Sequence, residues 1–349
     1  MQFGFREAMY TSGIEIHSQL AADLVMISLQ YEHVLFPGTV PRQRLYQTLS
    51  RPEVASVLPV YFASTSFMSV DTHDEHRVFV LAYDPNDVAL TVPSINASID
   101  RVKVPDVAIF DAQSRPEFGP VVEQFRTEHV VTTEVAGRRT TIRGLFDLGV
   151  SFGVAGTVIV SDTTFRQMFH RPEGVIEVGL IRVKPGSDVA AVQSALVQQL
   201  VPDVKILTLP QFMALEAAYW DEHTPTGFVF LLLLLIALLV GSVIVYQILY
   251  TDVSDHLREY ATLKAMGYAD WQLYIVVLEE ALVLSICSFP IGLGLAMVLY
   301  RAARGVTHLP IVMTVSRGLL VFTLTVAMCA IAGGVAMSKL KAADPAEIF

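Results

Sequence analysis

Cysteine is nearly missing from this chain of 349 residues: there are two, Cys287 and Cys329, and both stand in apolar stretches. No disulfide framework is therefore available to any water-facing part. Gly-Lys dipeptides are missing altogether, so there is no G-x-x-x-x-G-K-[ST] loop and no P-loop through which the chain could itself hold a nucleotide. The letters G-x-S-x-G are read as missing too, so no serine nucleophile elbow is expected, and no spacing singles out a catalytic triad. Metal-ligand spacing is scarce. Among nine histidines, the pair His73 and His76, beside Asp71 and Asp74, stands at ligand-like separation, and an acidic loop accounts for it without a metal. The first ten residues, MQFGFREAMY, lack the basic and then apolar pattern of a signal peptide.

Positive charge is also in short supply, with 24 Lys and Arg against 34 Asp and Glu. The deficit is local. Residues 1–225 carry 17 basic and 26 acidic side chains, a net of −9, while residues 226–349 carry 7 and 8, a net of −1. An acidic domain of this kind repels polyphosphate, which excludes nucleic acid as a partner.

What the sequence does have is apolar length: 53% of its residues are hydrophobic and its mean hydropathy is +0.50. From residue 224 to 251 there is no charge over 28 positions. A helix needs about 20 apolar residues to cross about 30 Å of hydrocarbon. Three spans follow, at about 226–250, 273–300 and 318–338. Small residues recur at packing spacing (Ala237 with Gly241, Gly292 with Gly294, Ala332 with Ala336), though such residues are common in membrane helices generally. Pro290 removes a backbone donor inside the second span and predicts a kink. Glu279 and Glu280 are charges in a membrane helix, where charge is costly. They serve a proton or substrate path, or they reach back to the interface from two turns inside the helix. Loop 251–272 and the tail share Arg258, Lys264, Lys339 and Lys341, against Arg301, Arg304 and Arg317 in loop 301–317. This count tilts toward a cytoplasmic tail and an N-terminal domain outside.

The N-terminal part reads as an α+β domain over 23–210. Residues 23–28 alternate as a strand, 41–49 as a short helix, and 54–67 and 76–83 as β-rich runs around a polar loop. Residues 175–183, 187–200 and 204–207 then read as strand, helix and strand. The order predicts a ferredoxin-like core interrupted by a mostly β insertion at 84–174, with a hairpin turning at 136–139. Residues 211–225 predict a stalk helix feeding the first span, with Pro225 as its weak point.

Loop 251–272 predicts a short helix with Asp252 or Ser254 as N-cap and Gly267 just past its end. Leu257, Tyr260 and Ala261 form an apolar stripe, extended by Leu263 and Met266. Four acids against two bases make anionic lipid the poorer partner for that stripe, which leaves a cytoplasmic protein, or a plain interfacial position.

EYATLKAMGY, lying between two spans, resembles the signature loop of FtsX-like, MacB-type ABC transporter permeases, and the closing DPAEIF resembles their C-terminal tail. YQILYTDVSDHLREYATLKAMGY, FDAQSRPEFGP at 110–120, TTEVAGRR at 132–139 and RLYQTL at 44–49 look similar to the DevC permeases of cyanobacterial exporters. The resemblance implies a MacB/FtsX-like α+β membrane protein whose soluble domain is periplasmic. It implies a homodimer in the inner membrane, among membrane lipids, working with a separate ABC ATPase that binds the ATP, a periplasmic membrane-fusion adaptor and a TolC-like outer-membrane channel. It places ATPase coupling on Glu259, Tyr260, Leu263, Lys264, Met266 and Gly267, and it points to glycolipid export. Family members have a further span before the soluble domain. Residues 1–22 resemble the end of that span and its stalk, so the expectation is a truncated reading of the gene. Two other classes stay open: an FtsX-type scaffold regulating an envelope enzyme without transport, and a membrane-anchored hydrolase.

Overall fold

The computed structural model describes residues 2–149, 155–200, 203–222, 226–307 and 311–341. Its soluble part begins with helix α1 (Gln2–Ser18), strands β1 (Leu24–Ser28) and β2 (Val40–Pro41), helix α2 (Arg42–Gln47), and the long strands β3 (Val54–Met68) and β4 (Glu75–Tyr83). The inserted segment holds α3 (Pro93–Ser98), β5 (Val107–Asp111), α4 (Val121–Glu128), β6 (Val131–Val135), β7 (Arg138–Phe146), β8 (Thr157–Ser161) and α5 (Asp162–Met168). The chain then returns through β9 (Val175–Ile176), β10 (Val178–Val183), α6 (Val189–Gln199), β11 (Val204–Thr208) and α7 (Leu209–Glu222). Helices α8 (Thr226–Asp255), α9 (Leu257–Ala265), α10 (Asp270–Thr307) and α11 (Val315–Lys341) complete it. Contacts divide the chain into two compact units: Ala8–Thr224 with Thr307–Pro310, and Met1–Glu7 with Pro225–Val306 and Ile311–Phe349.

In the soluble unit the strands run β11-β1-β10-β3 side by side, all antiparallel. Numbered within the βαββαβ repeat, that is the 4-1-3-2 order of a ferredoxin-like sheet. The local signals are plain. Asp188 caps α6 by accepting the Ala190 and Ala191 N–H groups, and Pro41 fixes the turn into α2. Pro59 lies where β3 is paired only with β10, before its pairing with β4 begins at Tyr61, so its missing N–H leaves no gap between two strands.

The insertion departs from the expectation of a mostly β segment, because it also supplies α3, α4, α5 and two short 3-10 turns. The outer half of β3 and β4 continue through β8, β5, β7 and β6, and β6 pairs back to β3 at Phe67 and Val135. The Ala136 N–H, bonded to the Ser66 carbonyl at 2.9 Å, completes the closure. A ring of six strands has an inside, and the inside must be filled. Phe67, Phe110 and Phe118 do so with ring centroids 5.0–5.8 Å apart, in edge-on and tilted contacts. Phe118 comes from the 3-10 turn Pro116–Phe118, so the non-β pieces are the plugs and covers that the ring requires. Elements of six to eight residues are too short to show helical periodicity in sequence, which hid them.

The hairpin between β6 and β7 turns tighter than 136–139, through Ala136 and Gly137 alone, with φ of 55° and 68°. This is the two-residue turn with both central residues left-handed that matches strand twist.

In the membrane unit, three apolar windows, Gly227–Asp255, Trp271–Gly305 and Val315–Met337, are long enough to cross a bilayer, with hydropathies of 3.3, 2.3 and 2.3. The first runs past the C-terminal end read from the sequence, the second past both ends and the third past the N-terminal end. A Cβ on Gly241 would stand 2.9 Å from Met328 Sδ, so the glycine lets α8 and α11 close together. Ala332 and Ala336 are buried, whereas Gly292 and Gly294 face open space. The helix α10 runs through Pro290 without interruption. Near the start of α11, Arg317 is buried and donates to Glu7 of α1 at 2.9 Å. Two expectations fall outside the described residues: the join of stalk and first span at Pro225, and the DPAEIF tail.

Two substitutions test this core. Phe67→Ala is expected to lower the stability of the soluble domain by about 3–5 kcal/mol, by removing a ring on which the closure packs; denaturant titration of the domain's near-UV signal measures it. Gly137→Ala meets nothing within 4 Å, so its cost, about 1–2 kcal/mol, is conformational alone.

Candidate functional site

Hydrocarbon leaves little room for chemistry, so the charged connector between the first two spans is where a partner can be engaged. The helix α9 begins one residue after α8 ends, with His256 at the break. Asp252 and Ser254 are therefore not its N-cap, contrary to expectation. Both lie in the last turn of α8, where the Ser254 hydroxyl donates to the Tyr250 carbonyl at 2.7 Å. His256 takes the cap position, and its backbone carbonyl accepts the Glu259 N–H at 3.0 Å. Apolar length carried α8 through these polar residues, which is why a cap search placed the start too early.

The other end matches its signal. Gly267 has φ of 96°, its N–H donates to the Lys264 carbonyl at 3.1 Å, and the Tyr268 N–H reaches the Leu263 carbonyl at 3.2 Å. This pair of bonds is a Schellman stop, which holds the last turn of α9 in one conformation.

The stripe read from the sequence is split by this geometry. Tyr260 and Leu263 pack inward against the buried residues Val253, Leu273, Val277 and Met337 of the chain's own spans. Glu259, Lys264, Met266 and Gly267 face outward. Met266 is 64% exposed, and Tyr268 and Trp271, at 48% and 63%, continue an apolar crest that the sequence reading passed over. The signal for those two was available: one aromatic ring, Tyr268, in a connector otherwise rich in charge, and a second, Trp271, at the start of α10. Glu280 of α10 lies against Asp252 closely enough for their carboxyl groups to share a hydrogen bond, with Tyr260 and His256 nearby. It faces the connector. Glu279 points to the exposed side of the helix.

The loop of His73 and His76 assembles no metal site. The Asp71 carboxylate is engaged by the Ser69 hydroxyl at 2.6 Å and the Thr72 N–H at 2.8 Å, and these bonds hold its pKa below the ordinary value. His76 belongs to β4, opposite Phe67. Among the described residues no group of three or more His, Cys, Asp or Glu side chains is arranged to hold a metal. The letters G-x-S-x-G, contrary to the expectation above, do occur once, at residues 149–153. They precede β8 rather than joining a strand to a helix, the setting a nucleophile elbow requires. Residues 150–154 lie outside the described residues.

A second cluster escaped the sequence reading. Within the soluble unit, His17 of α1, Tyr31 and His33 of the segment after β1, and Glu216 of α7 meet in the interior, with Glu216 fully buried. One glutamate within the apolar run FMALEAAYW was its trace in the sequence.

Both parts of the chain have similarities among known proteins. The family model for the FtsX-like permease C-terminal domain matches residues 231–345. The periplasmic region of MacB from Actinobacillus actinomycetemcomitans is similar at 9% identity over 57% of this chain and 94% of that one, with a TM-score of 0.38. The extracellular domain of the ABC-type transporter YknZ from Gram-positive bacteria is similar at 9% identity over 53% and 98%, with a TM-score of 0.36. No curated protein sequence matches significantly. Over residues 231–345, its membrane part, the chain is thus similar to the C-terminal domain of FtsX-like permeases.

Proposed function

We propose that the chain is the permease subunit of an ABC exporter, acting as a homodimer in the inner membrane, and that a separate ATPase docks on the connector helix α9. The observation that carries this reading is the split stripe. Tyr260 and Leu263 fasten α9 to the spans, Gly267 fixes its end, and Met266, Tyr268 and Trp271 remain outward with Glu259 and Lys264 beside them. A short helix held rigidly at its back and apolar along its front suits a groove in a partner protein, because little ordering entropy remains to be lost on binding.

Work done by the ATPase would then pass from α9 into α8 and α10 and on to the soluble domain, which expels an envelope substrate toward an adaptor and an outer-membrane channel. A glycolipid is the substrate class that the DevC resemblance favours. Chemistry on the substrate is assigned to no residue of this chain, and ATP is held by the partner.

Copurification with the co-expressed ATPase subunit tests the docking surface. Met266→Asp places a charge on the crest and is expected to lower ATPase recovery at least tenfold while leaving detergent-extracted permease monodisperse; undiminished recovery would overturn the assignment. Gly267 separates conformation from contact. Gly267→Asn, which tolerates the left-handed region, is expected to retain most of the ATPase, and Gly267→Val to lose most of it, although neither new side chain meets a neighbour at its Cβ.

A further inference from the structure

The helix α1 begins in one compact unit and ends in the other, and α7 is the last described element before the first span. Within the soluble unit these two helices are joined by polar groups where apolar ones would be simpler. Glu216 of α7 is fully buried, and His17 of α1 stands 3.8 Å away, measured from its Nε2 to Oε1. The Tyr31 hydroxyl donates to the same oxygen. On the other side, His33 Nε2 is 3.5 Å from Oε2. Phe212 closes the cluster from above, its ring 5.1 Å from His17 and 5.4 Å from Tyr31, and Tyr219 stacks on His33 at 4.6 Å.

The titratable groups facing Glu216 are thus His17 from α1, Tyr31 and His33 from the segment after β1, and Tyr219 on α7 itself. Among the described residues no Lys or Arg pairs with Glu216, and within α1 the polar group beside the His17 ring is the Gly13 backbone. The Leu35 N–H donates to His33 Nδ1 at 3.3 Å, so neutral His33 carries its proton on Nε2 and turns it toward the carboxyl group.

We propose that His17, His33 and Glu216 form an acid-released latch that fastens the C-terminal half of α1 to α7 within the soluble domain. Burial disfavours the imidazolium of both histidines, and His33 repels a charge on His17, so their pKa values fall to about 3 for His17 and about 4 for His33. A lowered histidine value means stability present above the ordinary 6.5 and lost as the pH falls toward 4, since only the opened cluster takes up the protons. Glu216 works in the opposite direction. Burial raises its pKa to about 7 against the hydrogen bonds from Tyr31 and Val34, so its contribution grows as the pH falls from 7 toward 4.5. Two histidines against one carboxyl leave a net release in acid.

Hydrogen exchange on the whole chain in lipid nanodiscs, corrected for the intrinsic rate and compared at pH 7.5 and pH 5, tests the latch. Amides of residues 10–18 and 210–219 are expected to open on the order of tenfold more readily at pH 5, while those of β1 and β10 keep their protection. The two variants shift this in opposite senses. His17→Phe is expected to flatten the pH dependence, and Glu216→Gln, a permanently neutral isostere, to steepen it by at least another tenfold. Equal protection of the wild-type helices at both pH values would overturn the proposal, as would simultaneous loss across β1 and β10. Protection that vanishes with a chelator and returns with Zn²⁺ would overturn it in favour of a metal site. Should a variant fail to fold, the wild-type comparison of helix against sheet amides decides alone.

Discussion

Hydrocarbon supplies no hydrogen-bond partner, and every backbone group that crosses it must be satisfied within the crossing segment. That constraint sorts this chain more strictly than any motif does. Three helices take nearly all the apolar length, and small residues such as Gly241 let α8 and α11 approach. Charge gathers in the connectors and toward the helix ends, with Glu279 and Glu280 about two turns inside α10. A connector of fourteen residues between α8 and α10, 256–269, must then reverse direction, satisfy its own helix ends and meet any partner on that side. The Schellman stop at Gly267 and the inward packing of Tyr260 and Leu263 meet the first two demands, and the outward crest is what remains for the third.

The soluble unit is organised by one strand with two allegiances. The inner half of β3 belongs to the ferredoxin-like sheet through β10, and its outer half belongs to the closed ring through β4 and β6. A strand common to both sheets joins them without a linker. One face of the inner sheet packs on α2 and α6, and the other receives Phe212 of α7 beside Leu20, which follows α1. The helices nearest the membrane unit in sequence are therefore part of the domain's own core.

How much of this was readable depended on length and periodicity. The spans were plain because charge-free runs of 20 residues or more have no other use. The ferredoxin-like repeat was plain because β1, β3, β10 and β11 are apolar at strand length and α6 has a cap and a preceding turn. Ring closure was not readable: Phe67 and Val135 are 68 residues apart, and nothing local in either announces the other. Gly267 could be read because a left-handed residue past a helix end is a local requirement. The N-cap could not, because Asp252 and Ser254 are good caps in isolation and α8 simply continued through them. The His17 and Glu216 cluster joins residues 199 positions apart, and each alone looks like an ordinary stalk residue.

The account rests on α9 facing the cytoplasm with Met266 at the contact. In a chain whose Cys287 and Cys329 are replaced by serine, a single cysteine at position 266 can be labelled with a membrane-impermeant maleimide in vesicles of known orientation. Labelling from the cytoplasmic face, blocked when the ATPase subunit is bound, is the result the account predicts. Labelling from the opposite face, or labelling indifferent to the ATPase, would contradict it.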